Sequence, residues 1–384
     1  MKKIKSTTTK IYGIIGILIL MFAVYIARNI RFIEQELSAD NEFLQAYDFD
    51  FPVSVIKYSF EDTKNKVRIL GKSEDSVIYC TYETIDENSN SLTAKYYRRS
   101  LNDDMEEMIA ESSGSFTLLG NYIYNSGVIY AEVQQTEGLL TKIYYQNSLN
   151  NKIQLHEFEA ITIPELYFND DTLFVSYEIF NGSLIKQIIE SICLKTGHVE
   201  EVVNGSYSIS EDYLCTGEML LGLSGNENGI IYQSIKFNEE NPDLDYTGEA
   251  QIIYYDLAER KKEVLLEMDK KASFIGGEPQ KVVITEYAYD RPLENTGKIY
   301  VKKEDKTYAS YLIPEIESVN DIKACDIIND QYIIVQSYNA MYIIDVYSLK
   351  YKIYDDVEYA FFDKNMIYCM NEQQEILEIA LEEE

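Results

Sequence analysis

From Phe49 to the C-terminus, short apolar runs alternate with polar turns. The apolar runs that stand out are Val77-Ile78-Tyr79, Val128-Ile129-Tyr130, Leu173-Phe174-Val175, Ile230-Ile231-Tyr232, Val282-Val283-Ile284, Tyr332-Ile333-Ile334 and Met366-Ile367-Tyr368. Their starts lie 51, 45, 57, 52, 50 and 34 residues apart. Brief runs of β-branched and aromatic residues between turn residues predict strands, because a helix would show a longer run with a 3.6-residue period. Several of them follow a polar turn, such as Ser73-Glu74-Asp75-Ser76, Asn125-Ser126-Gly127, Asn169-Asp170-Asp171, Asn226-Glu227-Asn228-Gly229 or Asp363-Lys364-Asn365. That is the chemistry of hairpins.

A second pattern repeats beside the first. KYYRRSLND at 95–103 and KIYYQNSLNN at 142–151 each carry a tyrosine pair and then Ser-Leu-Asn. Weaker copies are SICLKTGHVEEVV at 191–203, IIYYDLAERKKEVLL at 252–266 and YIIDVYSLKYKIY at 342–354. Each reads strand, polar turn, strand. A period near 50 residues built of strands indicates radial β-repeats, since a four-stranded blade takes about 40–50 residues. The expectation is an all-β propeller over 48–384 with seven blades, six staying open if an end unit is miscounted. The long gap fits an insertion at 238–249. The last unit lacks a strand, and PVSVIKYSF at 52–60 is a spare one. Closing the ring with it would cover two strand edges.

These strand–turn–strand units resemble those of bacterial β-propellers of the WD40-like and quinoprotein-like groups, and Leu194-Lys195-Thr196-Gly197-His198-Val199 is similar to their outer hairpin. The resemblance covers about residues 50–381. The chain has no tryptophan. It therefore lacks the Trp-Asp signature of the first group and the tryptophan-docking motif of the second, and the Asp-box of sialidase-type blades is missing too. The resemblance implies a fold and transfers no functional residue.

The first 47 residues read differently. Residues 1–10 hold four lysines, and 11–27 (IYGIIGILILMFAVYIA) are 17 uncharged, mostly apolar residues with Tyr12 and Tyr25 near the ends. This is at the short end for a spanning helix, with aromatics where the interface would be. The lysines precede it and two arginines follow, so the N-terminus is expected inside. No small-x-small cleavage site lies where a signal peptidase would need one, which favours an uncleaved signal anchor over a signal peptide. Residues 28–47 read as a juxtamembrane helix and tether, with Ile30, Ile33 and Leu37 on one helical face.

Composition narrows the partners. The formal net charge is −31, and because residues 1–31 carry six basic residues and no acid, the rest carries −37. Such a body repels nucleic acid. Cys80, Cys193, Cys215, Cys325 and Cys369 form no CxxC, and most sit in apolar runs, as small buried hydrophobes do. The two histidines, His156 on an outer strand and His198 after an outer turn, read as surface residues. They leave little room for a Ser-His-Asp or Cys-His set or for a histidine metal site. Phosphate-binding GxxxxGK[ST] and dinucleotide GxGxxG motifs are missing. Glu239, Glu240, Asp243, Asp245 and Glu249 are the candidate ligands for a calcium ion, although they lack the DxDxDG order; a solvated hairpin tip is the competing reading. The 34 tyrosines are good strand formers and good recognition residues alike.

The functional expectation is a single-pass protein of the cell membrane, N-terminus cytoplasmic, displaying a non-catalytic binding or scaffolding propeller outside. Its partner would be another membrane or cell-wall-associated protein. The alternative is an exported enzyme that uses paired carboxylates on cell-wall glycan.

Overall fold

The computed structural model describes residues 42–46, 51–56, 66–73, 75–86, 91–103, 105–115, 119–209, 215–237, 249–268, 271–287, 296–313, 322–328, 331–338, 340–363, 365–373 and 375–381. The regular elements among them are all β-strands. Three come before the repeats: β1 (Glu42–Phe43), β2 (Gln45–Ala46) and β3 (Val53–Ile56). Antiparallel meanders follow. The first contains β4 (Lys66–Ser73), β5 (Ser76–Asp86), β6 (Ser91–Ser100) and β7 (Glu106–Ser115). The next contains β8 (Leu119–Tyr124), β9 (Gly127–Gln135), β10 (Leu139–Gln146) and β11 (Lys152–Ala160).

Then come β12 (Glu165–Asn169), β13 (Thr172–Asn181), β14 (Leu184–Cys193) and β15 (His198–Ile209), followed by β16 (Cys215–Asn226), β17 (Gly229–Phe237), β18 (Glu249–Asp256) and β19 (Lys261–Met268). A β15–β16 pairing through Tyr207 and Gly217 joins these eight strands into one sheet. The series continues with β20 (Lys271–Glu278), β21 (Lys281–Tyr287), β22 (Thr296–Lys302) and β23 (Tyr308–Leu312), then β24 (Ile322–Ile328), β25 (Tyr332–Ser337), β26 (Ala340–Asp345) and β27 (Lys350–Asp355). The chain ends in β28 (Val357–Asp363), β29 (Met366–Asn371) and β30 (Ile376–Ala380).

Each apolar run singled out in the sequence lies in the second strand of its meander: β5, β9, β13, β17, β21, β25 and β29. The reason lies in the packing. Side chains alternate between the two faces of a strand, and here both faces are covered. Ile230 and Tyr232 pack toward the β12–β15 meander with Phe174, Ile189 and Val203, whereas Ile231 packs toward the following meander with Phe274, Val282 and Ile284. Strands buried on both faces read as continuous apolar runs. The clusters between successive meanders repeat around the molecule. The one that joins the end to the beginning holds Ile69 and Val77 with Tyr368 and Ile376.

The first strands of successive meanders lie side by side around a hub, and β28 lies against β4. The arrangement is a β-propeller-like ring. Its last sheet is completed by the N-terminal strand: β3 pairs antiparallel with β30, Val53 facing Ile379 and Ile56 facing Ile376. This is the place that the spare strand at 52–60 was expected to take. The turn before β9 holds Asn125 and Ser126 at φ 43° and 60°, the positive pair that a tight two-residue hairpin needs.

The segment before β3 departs from the sequence reading. The sequence reads residues 28–47 as a juxtamembrane helix and tether. Instead β1 pairs parallel with β23, Glu42 facing Tyr311, and β2 pairs parallel with β27, Gln45 facing Lys350. Leu44 between them is buried with Val283, Ile299 and Ile344. The outermost strands present unpaired backbone, and an extended segment covers it where a helix could not. Described strands therefore begin at residue 42. The anchor at 11–27 and the rest of the tether lie outside the described residues. Among the described residues no helix is long and apolar enough to cross a membrane.

Candidate functional site

Two regions concentrate polar chemistry: the hub, and a hollow between the β12–β15 and β16–β19 meanders. At the hub, hydroxyls pass from one first strand to the next. Tyr122 on β8 donates to the Leu166 carbonyl on β12 at 2.5 Å, and Tyr167 on β12 donates to the Gly225 carbonyl on β16 at 2.6 Å. Ser224 Oγ donates to the Gly277 carbonyl on β20 at 2.8 Å and accepts the Gly277 N–H. Between the first strands of the last two meanders, Tyr359 on β28 donates to Asp326 Oδ2 on β24 at 2.5 Å, and the Ile327 N–H reaches Oδ1 at 2.9 Å. Burial pushes the Asp326 carboxyl above the ordinary carboxylate range against the pull of these two hydrogen bonds. Burial, with the charge of Asp326, likewise pushes the Tyr359 hydroxyl up.

Farther out, buried glutamines perform a related task. Gln187 on β14 donates to the Leu220 carbonyl on β16 at 2.8 Å and accepts the Leu220 N–H. Gln233 on β17 accepts the Phe274 N–H on β20 at 3.2 Å. Gln336 on β25 accepts the Tyr359 N–H at 2.7 Å and donates to the Val357 carbonyl at 3.2 Å. Each satisfies first-strand backbone of the next meander where water cannot reach.

The hollow is half-open and has a volume of about 250 Å³. Its floor is a row across three strands: Thr172 on β13, Cys193 on β14 and His198 on β15 are direct register partners. Ser191 and Glu200 form the adjoining row, and Tyr255, Leu257 and Arg260 supply the opposite wall. Arg260 pairs with Glu200 at 2.7 Å, bridging the two meanders. The Thr196 hydroxyl, then the Thr196 backbone N–H, hydrogen-bond the Cys193 sulfur and hold its thiol below the ordinary value. Three other thiols differ. Burial pushes Cys80 and Cys369 up to about 12 each, and burial with the Asp326 charge raises Cys325. All four described cysteines are free.

Glu239, Glu240, Asp243 and Asp245 lie outside the described residues, as does the side chain of Glu249 at the start of β18. Among the described residues no group of three or more His, Cys, Asp or Glu side chains is placed to hold a metal ion. His156 sits on the outermost strand of its meander, β11, as expected, but it is half-buried and its Nε2 lies 2.8 Å from Glu190 on β14. Much of the tyrosine is structural: Tyr96 and Tyr130 stack across adjacent meanders with centroids 5.1 Å apart, and Tyr96 donates to Asn121 at 2.8 Å. The glutamines had a trace in sequence, Ile230-Ile231-Tyr232-Gln233-Ser234 beside Ile333-Ile334-Val335-Gln336-Ser337. The hollow had a trace only in the 191–203 hairpin that pairs Cys193 with His198, because its other wall comes from a different meander.

No family model matches the sequence, and no curated protein does. Solved structures do match in shape. An oligogalacturonate lyase from Vibrio parahaemolyticus superposes with a TM-score of 0.52 at 8% identity, covering 88% of this chain and 96% of that one. The acylaminoacyl peptidase of Pyrococcus horikoshii gives 0.51 at 12% identity over 84% of this chain, which spans 51% of the peptidase. The β-propeller domain of the trilobed protease from Pyrococcus furiosus gives 0.49 at 12% identity, covering 84% and 97%.

The fold is β-propeller-like. At these identities the likeness concerns the path of the chain alone.

Proposed function

We propose that the protein is a non-catalytic binding or scaffolding module. In this reading seven blades form the propeller, and residues 11–27 hold it outside the cell membrane with the N-terminus inside. The partner is another membrane or wall-associated protein. The observation that carries the reading is the exposure of large apolar side chains at hairpin tips. Phe180 is 71% exposed and Tyr338 60% exposed, both at turns between second and third strands. In a ring of meanders running the same way, such turns share one face. Apolar and aromatic groups held in water at turn tips suit protein recognition. The hub's hydroxyls, by contrast, are engaged in joining first strands.

The test is to crosslink the intact tagged protein in its native membrane and identify what co-purifies, alongside Phe180→Ser and Tyr338→Ser. A stoichiometric membrane or wall-associated protein, lost in the double variant, is the expected result. Recovery of the tagged protein alone would overturn the reading. An antibody against the sheet body should bind intact cells, and failure to bind would remove the outside location.

One observation favours the enzyme reading as a second. Glu165 at the start of β12 keeps access to solvent, yet enclosure by its neighbours and the charge of Glu178 push its carboxyl up. A carboxyl whose proton is held more tightly by enclosure and by a neighbouring carboxyl is the starting point for general-acid chemistry. Polysaccharide turnover that is abolished by Glu165→Gln would establish this alternative.

A further inference from the structure

The Cys193 hollow has the parts of a thiol–disulfide exchange site. The thiol is open to the hollow, and directly opposite on the neighbouring strand stands His198. Direct cross-strand partners hold their Cβ atoms about 4.5–5.5 Å apart, within reach for a proton passed from sulfur to imidazole. Beside this row Glu200, on the same strand as His198, meets Arg260, which reaches across from the opposite wall, so that an anion and a cation stand side by side. Such a pair matches a head group carrying both a carboxylate and an ammonium, each end taking the partner of opposite charge. A volume of about 250 Å³ admits one amino-acid-sized group.

We propose that Cys193 forms a mixed disulfide with a small disulfide of the amino-acid class, held by Arg260 and Glu200 and assisted by His198. In the exchange, the Cys193 sulfur gives its proton to the imidazole and attacks one sulfur of the small disulfide. The new bond joins Cys193 Sγ to that sulfur as the original sulfur–sulfur bond breaks. Its electron pair leaves on the second sulfur, which takes the proton from His198 and departs as a thiol. One disulfide is consumed and one is formed, so no outside oxidant is needed. A thiol with a larger thiolate fraction attacks more readily, and among Cys80, Cys193, Cys325 and Cys369 it is Cys193 whose thiol is lowered, the Thr196 hydrogen bonds outweighing the charge of Asp171. The site is independent of the apolar hairpin tips, and its outcome leaves the partner experiment untouched.

The test uses the full-length chain, reduced and freed of reductant. It is exposed in parallel to cystine, to cystamine, which lacks the carboxylates, and to dithiodipropionate, which lacks the amines. Peptide mapping by mass after acid quenching reads the rate at each cysteine. The expected result is half-cystine on Cys193 about tenfold faster than on Cys80, Cys325 or Cys369, in keeping with thiolate control of exchange. Cystine should outpace both one-sign reagents by about threefold, and Arg260→Gln with Glu200→Gln should erase that preference. His198→Gln should slow the exchange and displace its pH–rate curve upward, with the near-ultraviolet dichroism of the folded chain retained. Equal rates for the three reagents would overturn the amino-acid assignment. A Cys193 rate no faster than that of an unstructured peptide spanning 188–203 would overturn the site.

Discussion

Gln187 hydrogen-bonds both the amide and the carbonyl of Leu220 on the neighbouring meander while also donating to Glu178 at 2.8 Å. Replacing it with leucine fills the volume but strands two backbone groups that are shut away from water. Gln187→Leu should destabilise the fold by about 2–5 kcal/mol, read from denaturant unfolding; a loss within error of zero would mean that water replaces the side chain. Asp326 works in the opposite direction. Its carboxyl is raised, facing Tyr359 and the nearby Tyr122, Tyr167 and Cys325, none of them a cation at neutral pH. A folded carboxyl that binds its proton more tightly than the unfolded one costs stability as pH rises through the interval between the two values. Below that interval both states are protonated and the cost disappears. Asp326→Asn keeps the shape and removes the charge. Its melting temperature should exceed the native one at pH 7, and the difference should shrink toward zero as pH falls into the ordinary carboxylate range. A difference that is constant with pH would refute the assignment.

At the scale of elements, the joint between β15 and β16 depends on Gly217. It stands at φ 99°, and a Cβ built there would lie 2.3 Å from the Ser206 carbonyl oxygen. Gly197, at φ 69° in the hairpin before β15, has no atom near its Cβ position. Comparing the two separates clash from strain. Gly197→Ala should cost about 1 kcal/mol through backbone strain alone, and Gly217→Ala about 3 kcal/mol, measured by thermal unfolding. Equal costs would show that the joint yields. Which elements could be read from the sequence follows the same physics. The second strands were legible because burial on both faces leaves no polar position to break the run, as in Ile230-Ile231-Tyr232. The closing strand was legible because a three-stranded end unit requires it. The pairings of Glu42–Ala46 were not, since two-residue ladders carry no periodicity. The hollow was legible only in part: Cys193 and His198 flank the hairpin turn that the sequence shows, but Arg260 arrives from another meander and nothing local marks it as their neighbour. The glutamines are hard to read because a polar residue inside an apolar run looks like an interruption until its backbone partners are known.

For the molecule as a whole, the decisive question is what the N-terminal segment contributes. Residues 42–46 lie on the outer edges of β23 and β27, and residues 51–56 complete the final sheet. The second role should dominate. The β3 strand brings Phe51, which is 2% exposed and packed with Ile328, Ile367 and Leu381, and the Pro52 carbonyl accepts the Ala380 N–H at 3.0 Å. Two truncated chains distinguish the roles. A chain starting at residue 50 loses Leu44 and two short pairings, and burial of one leucine amounts to about 2 kcal/mol. A chain starting at residue 58 also loses Phe51 and a ladder of four residues. That adds on the order of 5 kcal/mol, a large part of a typical total of 5–15 kcal/mol. It also bares the edge of β30, an invitation to pair with another chain. The first truncation should therefore unfold cooperatively at slightly lower denaturant and scatter no more light than the intact chain. The second should unfold at far lower denaturant, lose its single sharp transition and scatter light at micromolar concentration. If the two chains unfold at the same midpoint, the ring does not depend on being closed by β3, and its stability must come from the packing between adjacent meanders alone.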